Sequence, residues 1–308
     1  MRIVFFGSSD FSLRGLHACL EAPGGQVVGV ITTSPQRQGR GLVLVPSVVA
    51  QFCIDQKIEY CEFGKLDDQA FEQVFNWKPD VFVVSSYGKI IPERFLGLAK
   101  FRFNIHPSLL PKYRGASPLN GPILSGESKT GLSIADVTKD LDAGDIYYQE
   151  ELFLSPSDDA GKISFTLSDK SYFVMREMLE KARVENLTLT PQDHEQASYA
   201  PKLTKEDGHL FFSDPATKWD RSVRGLAPWP GAFTEVHHER VGLIAVKAKA
   251  ADPSVRRGTI LDITQESLVV QTSHGAVEWL QVKPAGKKGM SGGDYARGRR
   301  WRIGMNLQ

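Results

Sequence analysis

The sequence predicts an α/β fold, a doubly wound and mostly parallel sheet, followed by a small OB-like β-barrel domain. Strand and helix signals alternate through the first half of the 308-residue chain, which is typical of βαβ units. A polar stretch interrupted by prolines follows, and then short β-rich runs separated by Gly and Pro turns. We therefore expect two domains, at residues 1–188 and 207–308, joined by a linker at 189–206.

The first half supplies the elements of the predicted sheet. An apolar, β-branched strand begins at Arg2, and the turn after it, at residues 7–10, contains a helix-capping residue before a helix at residues 11–20. This turn lacks the second and third glycines of a dinucleotide fingerprint, so a nicotinamide enzyme is disfavoured. The residues of the long helix that we expect on inner faces are Phe165, Leu167, Tyr172, Met175, Met178 and Leu179. The other elements are strands at 26–33, 81–85, 101–105, 132–138 and 146–153, and the helix at 162–184.

The second half supplies the runs that predict the barrel. They are short, rich in β-branched residues and bounded by turn residues, as the strands of small barrels are. The predicted strands lie at residues 232–236, 242–248, 259–263, 267–271 and 276–282.

Composition indicates a globular cytoplasmic protein. Apolar residues make up 41% and charged residues 24% of the chain. The sequence starts without a basic leader, and no apolar run approaches the ~20 residues of a membrane helix. The three cysteines form no CxxC pair, which favours a reducing compartment and offers no metal site. We expect no membrane and no metal.

The net charge of +1 is unevenly distributed. Basic residues dominate the last part of the chain, where Asp294 is the acidic residue after position 282. Such a patch can bind phosphates, or it can simply keep the chain soluble, and charge alone leaves both interpretations open. The basic residues are Lys283, Lys287, Lys288, Arg297, Arg299, Arg300 and Arg302.

Two segments carry the strongest chemical signal. Asn104 and His106 end a predicted strand, and Asp142 lies in a later Leu-Asp-Ala-Gly-Asp turn. Ligands of doubly wound sheets bind beyond the carboxyl ends of strands, which is where these side chains are expected. An amide and an imidazole can hold a developing oxyanion, while a carboxylate orients and charges the imidazole. The pattern suits acyl transfer to an amine.

Residues 103–115 and 141–145 together resemble the formyltransferases that use 10-formyltetrahydrofolate. The resemblance implies a Rossmann-like formyltransferase fold with Asn104, His106 and Asp142 as catalytic residues, and neither a metal nor a covalent enzyme intermediate. It also implies a folate pocket lined by residues 108–111, residues 87–92 and the loop before Asp142, whose apolar faces and backbone groups suit a pterin. The expected folate contacts are Ser108, Leu109, Leu110, Pro111, Tyr87, Gly88 and Ile90.

Further segments resemble family members that formylate initiator tRNA. Residues 35–41 are similar to their insertion loop for the tRNA acceptor end, with Arg37 and Arg40 as the implied contacts. Residues 198–208 and 280–298 resemble their inter-domain segment and C-terminal barrel, with Lys283, Lys287 and Lys288 as implied tRNA contacts. The resemblance thus implies formyl transfer from 10-formyltetrahydrofolate to the α-amine of methionyl-initiator tRNA, for translation initiation, by an enzyme expected to be a monomer.

Other functions remain open from the sequence. A sugar-nucleotide amine N-formyltransferase would share the donor and the Asn104, His106 and Asp142 set, but would not need Arg40 or the basic tail. A formyltetrahydrofolate hydrolase would replace the amine by water. A non-catalytic nucleic-acid-binding module would explain the basic tail and leave the Asn-x-His motif unexplained.

Overall fold

A computed structural model describes residues 1–38, 41–184 and 187–308, and these fall into two compact units. Each unit is assembled from more than one stretch of chain. The boundaries expected at 188/189 and 206/207 stay predictions. The first unit comprises Met1–Pro118, Lys129–Phe153 and Ser164–Pro201, and the second comprises Leu119–Ser128, Leu154–Ile163 and Lys202–Gln308.

The first unit is built on a seven-stranded sheet. Its strands, with the short pairs beside the sheet, are β1 (Arg2–Gly7), β2 (Gln26–Thr32), β3 (Gln36–Gln38), β4 (Val43–Val45), β5 (Tyr60–Glu62), β6 (Val81–Ser85), β7 (Phe101–His106), β8 (Arg114–Gly115), β9 (Lys129–Asp136), β10 (Ile146–Phe153) and β11 (Tyr199–Ala200). The helices up to residue 184 are α1 (Asp10–Leu20), α2 (Val48–Gln56), α3 (Asp68–Trp77), α4 (Glu93–Leu96), α5 (Gly121–Ser125) and α6 (Ala160–Val184).

The strand order is β10-β9-β7-β6-β1-β2-β5. Strands β5, β2, β1, β6 and β7 pair in parallel, whereas β9 and β10 are antiparallel. This confirms the predicted mostly parallel sheet. The carboxyl ends of the central strands are level, since Gly7 pairs with Ser85 and Ser85 with Ile105. The motif at the end of β7 therefore lies at the edge of the sheet where ligands of such folds bind.

Helices cover both faces of the sheet. Alternate residues of β1 point to opposite faces, so neighbouring residues of this strand pack against different helices. Phe6 packs with Val74 and Trp77 of α3 in one core cluster. On the other face, Gly15 of α1 lies against Phe5, so close that an added Cβ would be 3.5 Å from its ring. A strand buried on both faces needs apolar residues at every position, which explains the continuous hydrophobic run in β1.

One inner-face prediction for α6 is wrong. Leu167 and Met175 are fully buried, but Phe165 is 73% exposed. Residues two apart on an α-helix are rotated by about 200°, so Phe165 and Leu167 cannot share a face. The inward position was predicted because Phe165 is apolar, and the helical periodicity contradicts it. Among the described residues, the helices are too short or too polar to cross a membrane.

The second unit is an antiparallel sheet with the helices α5, α7 and α8 among its described residues, and it confirms the β-rich second half. The sheet order is β12-β13-β16-β15-β14, with β17 paired to β16. Trp219 and Trp279 are fully buried and stack with ring centroids 6.0 Å apart at the centre of its core. The elements are α7 (Ala216–Gly225), β12 (Ala232–Val236), β13 (Glu239–Lys249), β14 (Ile260–Ile263), β15 (Leu268–Gln271), β16 (Ala276–Pro284), β17 (Met290–Ser291) and α8 (Gly292–Gly298).

Gly29 of β2 is expected to tolerate no side chain. A Cβ there would lie 2.5 Å from three ring carbons of Trp77, which is itself buried. Gly29→Ala should lower the free energy of unfolding by about 1–3 kcal/mol, measured by urea denaturation. Gly97→Ala is the control, since a Cβ there meets nothing within 4 Å and φ is −74°. Equal stability of Gly29→Ala and wild type would contradict the packing described.

Candidate active site

The three residues of the sequence motif converge at the carboxyl edge of the sheet. Asn104 and His106 are two apart on β7, so their side chains leave the same face of the strand. Asp142 lies on the loop between β9 and β10, whose base is closed by the Asp136 amide donating to the Asp145 carbonyl at 2.8 Å. A Cβ at Gly144 would lie 2.0 Å from the Asp136 carbonyl oxygen, so this narrow neck requires glycine.

The carboxylate of Asp142 connects the parts of this site. Its Oδ1 accepts a hydrogen bond from Asn104 Nδ2 at 2.9 Å and lies 3.6 Å from His106 Nδ1. Its Oδ2 accepts from the backbone amide of Gly115 at 2.8 Å. Only 11% of the Asp142 side chain is exposed, so these partners replace most of its hydration.

His106 lies between two hydrogen-bond acceptors. The residue is 4% exposed, and its Nε2 lies 3.0 Å from the carbonyl oxygen of Tyr113. A carbonyl only accepts, so Nε2 carries a hydrogen. The other nitrogen, Nδ1, faces Asp142 at a distance that is an ion-pair contact rather than a hydrogen bond. The ring therefore has an oxygen acceptor near each of its nitrogens.

The backbone at this site adopts conformations that few residues tolerate. Tyr113 has φ of 60° and Asp142 has φ of 51°, both in the left-handed region. Such conformations persist only where the surroundings hold them. The Tyr113 amide donates to Ser198 Oγ at 3.0 Å, and the carbonyl of Asp142 accepts from Gln192 Nε2 at 2.9 Å. Both holding residues come from the segment expected to be a linker.

Gln192 and Arg114 are site residues that the sequence reasoning missed. Arg114 is 4% exposed and donates to Gln192 Oε1 from Nε at 3.2 Å and from Nη2 at 2.6 Å. Strand β11 pairs in parallel with β8, which brings residues 192–200 alongside the motif. Arg114 stands within the recognised run, but Pro-Gln-Asp at 191–193 carries no local signal that Gln192 is buried.

The expected folate residues 108–111 form a partly buried turn. Ser108 is fully buried and Leu110 is 3% exposed, whereas Leu109 and Pro111 are half-buried. The protein already uses backbone groups of this turn, because the Leu110 carbonyl accepts from Gln149 Nε2 at 2.9 Å and the Ser108 carbonyl accepts from Ser133 Oγ at 2.7 Å.

The second expected folate segment follows β6, next to β7 in the sheet. Ile90 is 68% exposed, and Gly88 has φ of 74° with open space at its Cβ position. The Tyr87 side chain is in the core instead, 2% exposed and edge-on to Phe6. Burial raises the pKa of Tyr87 to about 12, so its hydroxyl stays neutral, and it forms no hydrogen bond to any described residue.

The expected tRNA contacts are surface residues where the structure describes them. Arg37 is exposed on β3, opposite Leu44 of β4, and Arg40 lies outside the described residues. In the second unit, Lys283 is exposed on β16, and Lys287 and Lys288 are exposed in the turn that follows.

Both parts of the chain match models of one protein family. Residues 1–179 match the formyl transferase model, and residues 202–300 match the model of the formyl transferase C-terminal domain. The chain belongs to the formyl transferase family.

Relatives that match over nearly the whole chain are methionyl-tRNA formyltransferases. The one from Thermus thermophilus is 36% identical, covering 97% of this chain and 96% of its own. The one from Sulfurihydrogenibium sp. is 32% identical, covering 100% of both. Among solved structures, an N-formyltransferase from Helicobacter canadensis, in complex with folinic acid and dTDP-3-aminofucose, shares the fold with a TM-score of 0.68, at 15% identity, over 91% of this chain and 99% of its own.

The contact between Asn104 and Asp142 predicts a pH-dependent defect in Asn104→Asp. Two carboxylates in hydrogen-bond range cannot both be charged without cost, so this variant takes up a proton on folding. Stability then falls as pH rises, because the folded state binds more protons than the unfolded state. We expect a loss of about 1–3 kcal/mol at about pH 7.5 and a smaller loss at about pH 5.

Asn104→Leu is the control, since it removes the same bond without adding a charge. Its stability deficit, measured by denaturant titration, should not change between the two pH values. A deficit of Asn104→Asp that is equally independent of pH would argue against the contact.

Proposed function

We propose that the protein transfers the formyl group of 10-formyltetrahydrofolate to the α-amino group of methionyl-initiator tRNA, for translation initiation. One observation carries the proposal: the Asp142 carboxylate is bonded to Asn104 and lies beside His106 at the carboxyl edge of the sheet. Full-length similarity to methionyl-tRNA formyltransferases supports methionyl-tRNA as the acceptor.

Asn104 and His106 would stabilise the oxyanion that forms when the amine attacks the formyl carbon. An amide nitrogen has two hydrogens, and Asn104 Nδ2 uses one of them on Asp142. The second has no partner among the described residues and can donate to the developing oxyanion. His106 is buried beside the same carboxylate and would donate a second hydrogen bond to the oxyanion, with a positive charge when the ring is protonated. Losing one donor of this kind typically costs about 3 kcal/mol of transition-state stabilisation.

Asp142 would accept the proton that the attacking amine must lose. Attack forms the bond between the amine nitrogen and the formyl carbon, and collapse of the oxyanion breaks the bond from that carbon to N10 of the folate. The amine therefore gives up a proton, and N10 gains one. Asp142 is in contact with both Asn104 and His106, so it can accept the proton directly or through a water molecule.

The folate would lie along residues 108–111 and 87–92. The half-buried Leu109 and the exposed Ile90 offer apolar surface for a flat ring, near the end of β7. A pocket of this kind needs a few polar groups for orientation, which backbone atoms of the two segments can supply. Ser108, Leu110, Pro111, Tyr87 and Gly88 would then shape the pocket.

The tRNA would bind through exposed cations. Arg37 lies on the β3–β4 hairpin, and Arg40 follows it in sequence. Arginine binds phosphate with two parallel hydrogen bonds and stacks on bases, which suits the acceptor end of a tRNA. Lys283, Lys287 and Lys288 would contact phosphates in a salt-dependent manner.

A formyl-transfer assay with parallel acceptors tests the function. With 10-formyltetrahydrofolate as donor, we expect formylation of charged initiator methionyl-tRNA and none of an amino-sugar nucleotide. Transfer to the sugar alone would instead assign a sugar-nucleotide N-formyltransferase.

Arg40→Ala and Arg37→Ala should raise KM for the tRNA. Each lost phosphate contact should reduce the slope of log affinity against log salt by about 0.7–0.9.

Arg94→Ala is the matched control for these two variants. Arg94 is also a surface arginine, but its guanidinium is engaged with Asp68 and with the Phe71 ring. Its loss should leave KM for the tRNA unchanged. If Arg37→Ala and Arg40→Ala behave like Arg94→Ala, the acceptor does not bind at this hairpin.

Asp142→Asn should lose turnover without losing tRNA affinity. The variant keeps the size of the side chain but removes the charge beside His106. We expect kcat to fall by about 10²–10³-fold, from single-turnover kinetics, with the tRNA dissociation constant unchanged. Asp140→Asn, at an exposed carboxylate of the same loop, is the control and should keep wild-type kcat. Full activity of Asp142→Asn would remove Asp142 from the mechanism.

A further inference from the structure

We propose that Gln192 is a positioning residue for this reaction, which acts by fixing the backbone that carries Asp142. The inference rests on the proposed function, because it concerns the same carboxylate. Gln192 is 5% exposed, although it lies in a polar stretch after α6. A buried amide in such a segment needs internal partners, and those found in the described part of the chain belong to the site.

The side-chain amide of Gln192 spans the Asp142 loop. Its Nε2 donates to the carbonyl of Asp142 at 2.9 Å and to the carbonyl of Gly144 at 2.6 Å. An amide nitrogen has two hydrogens, so both are used on this one loop. Because Asp142 has a left-handed backbone, with φ of 51°, these bonds hold a conformation that a residue with a Cβ rarely adopts.

Arg114 determines which way that amide points. Its Nε and Nη2 both lie within hydrogen-bond distance of Gln192 Oε1. A guanidinium has donors only, so the atom that faces it must be the amide oxygen, and the atom that faces the two carbonyls must be the nitrogen. The Arg114 Nη2 also lies 3.0 Å from His194 Nδ1, which can accept with its lone pair. The oxygen and the nitrogen of the Gln192 amide therefore both have partners in this one orientation.

The same network reaches the carboxylate from its other side. Arg114 is followed by Gly115, whose amide donates to Asp142 Oδ2 at 2.8 Å. Gly115 of β8 thus holds the side chain of Asp142. Gln192 holds the Asp142 carbonyl and is itself hydrogen-bonded to Arg114, the other residue of β8. A shift of either segment would move the carboxylate relative to Asn104 and His106.

Replacement of Gln192 should therefore affect chemistry more than binding. A displacement of about 1 Å in a reacting group can cost on the order of 100-fold in rate. For Gln192→Leu we expect kcat to fall by about 100-fold with KM for the tRNA unchanged. Gln192→Glu keeps the acceptor for Arg114 but turns an oxygen towards two carbonyls, so it should show the same loss of kcat. Urea denaturation of both variants checks that they are folded.

Gln196→Leu is the matched control. Gln196 is a glutamine of the same segment, but it is exposed and donates to Asp193 Oδ2 at 2.7 Å rather than to the site. Its loss should leave kcat unchanged. If Gln192→Leu and Gln192→Glu both keep wild-type kcat, as Gln196→Leu is expected to do, Gln192 does not position the carboxylate.

A double-mutant cycle separates positioning from general damage. If Gln192 acts through Asp142, adding Gln192→Leu to Asp142→Asn should lower kcat by less than about 3-fold further. Additive losses would overturn the inference. The ¹⁵N shifts of the His106 ring give a readout that needs no substrate, and they should change in Gln192→Leu as in Asp142→Asn. A wild-type enzyme that does not formylate the tRNA would refute the proposed function, while the ring shifts would still decide the role of Gln192.

Discussion

A nearly buried carboxylate, Asp142, is the constraint on which the arrangement of this site depends. Withdrawing a charge from water costs several kcal/mol unless hydrogen bonds and opposite charge replace the solvent. Here the replacements come from separate parts of the chain, the side chains of Asn104 and His106 and the backbone amide of Gly115. Each partner is useful only at hydrogen-bond or ion-pair distance. The cost of burying one charge therefore fixes the relative positions of three segments.

The sheet explains why these segments can meet. Parallel strands end at a common edge, and β7 places its last residues there beside Ser85 of β6. Strand β9 runs antiparallel to β7, so the loop that follows must turn back to return to this edge. The left-handed backbone of Asp142 helps to reverse the chain within the loop. Gly144 then allows the end of the loop to approach Asp136 at its start closely. Backbone geometry thus delivers the carboxylate.

Local pattern was sufficient to predict much of the fold. Strands β6, β10 and β12 occur at the residues expected from runs of apolar and β-branched side chains. The Asn-x-His motif and the Asp142 turn could also be singled out, because an unusual combination of residues is visible in the sequence itself. Short-range order and rare motifs are the features that a sequence records directly.

Features that depend on distant partners could not be predicted. Strand β11 is two residues long and forms because β8 lies next to it, so residues 189–206 look like a polar linker from sequence. Gln192 is buried by contacts with residues 48 and 50 positions away. The prediction for Phe165 is wrong for the opposite reason. Its apolar side chain predicts an inward position, but its place on the helix faces solvent.

The interleaved order of the two units has a consequence for synthesis on the ribosome. Leu119–Ser128 and Leu154–Ile163 belong to the second unit, yet they are translated before the rest of it. Asn120 donates to the carbonyl of Gly225, and the carbonyl of Asp158 accepts from Arg224. These early segments cannot form those contacts until Arg224 and Gly225 have been synthesised. During that interval the nascent chain presents Ile123, which is buried in the finished protein, as a surface for chaperones to protect.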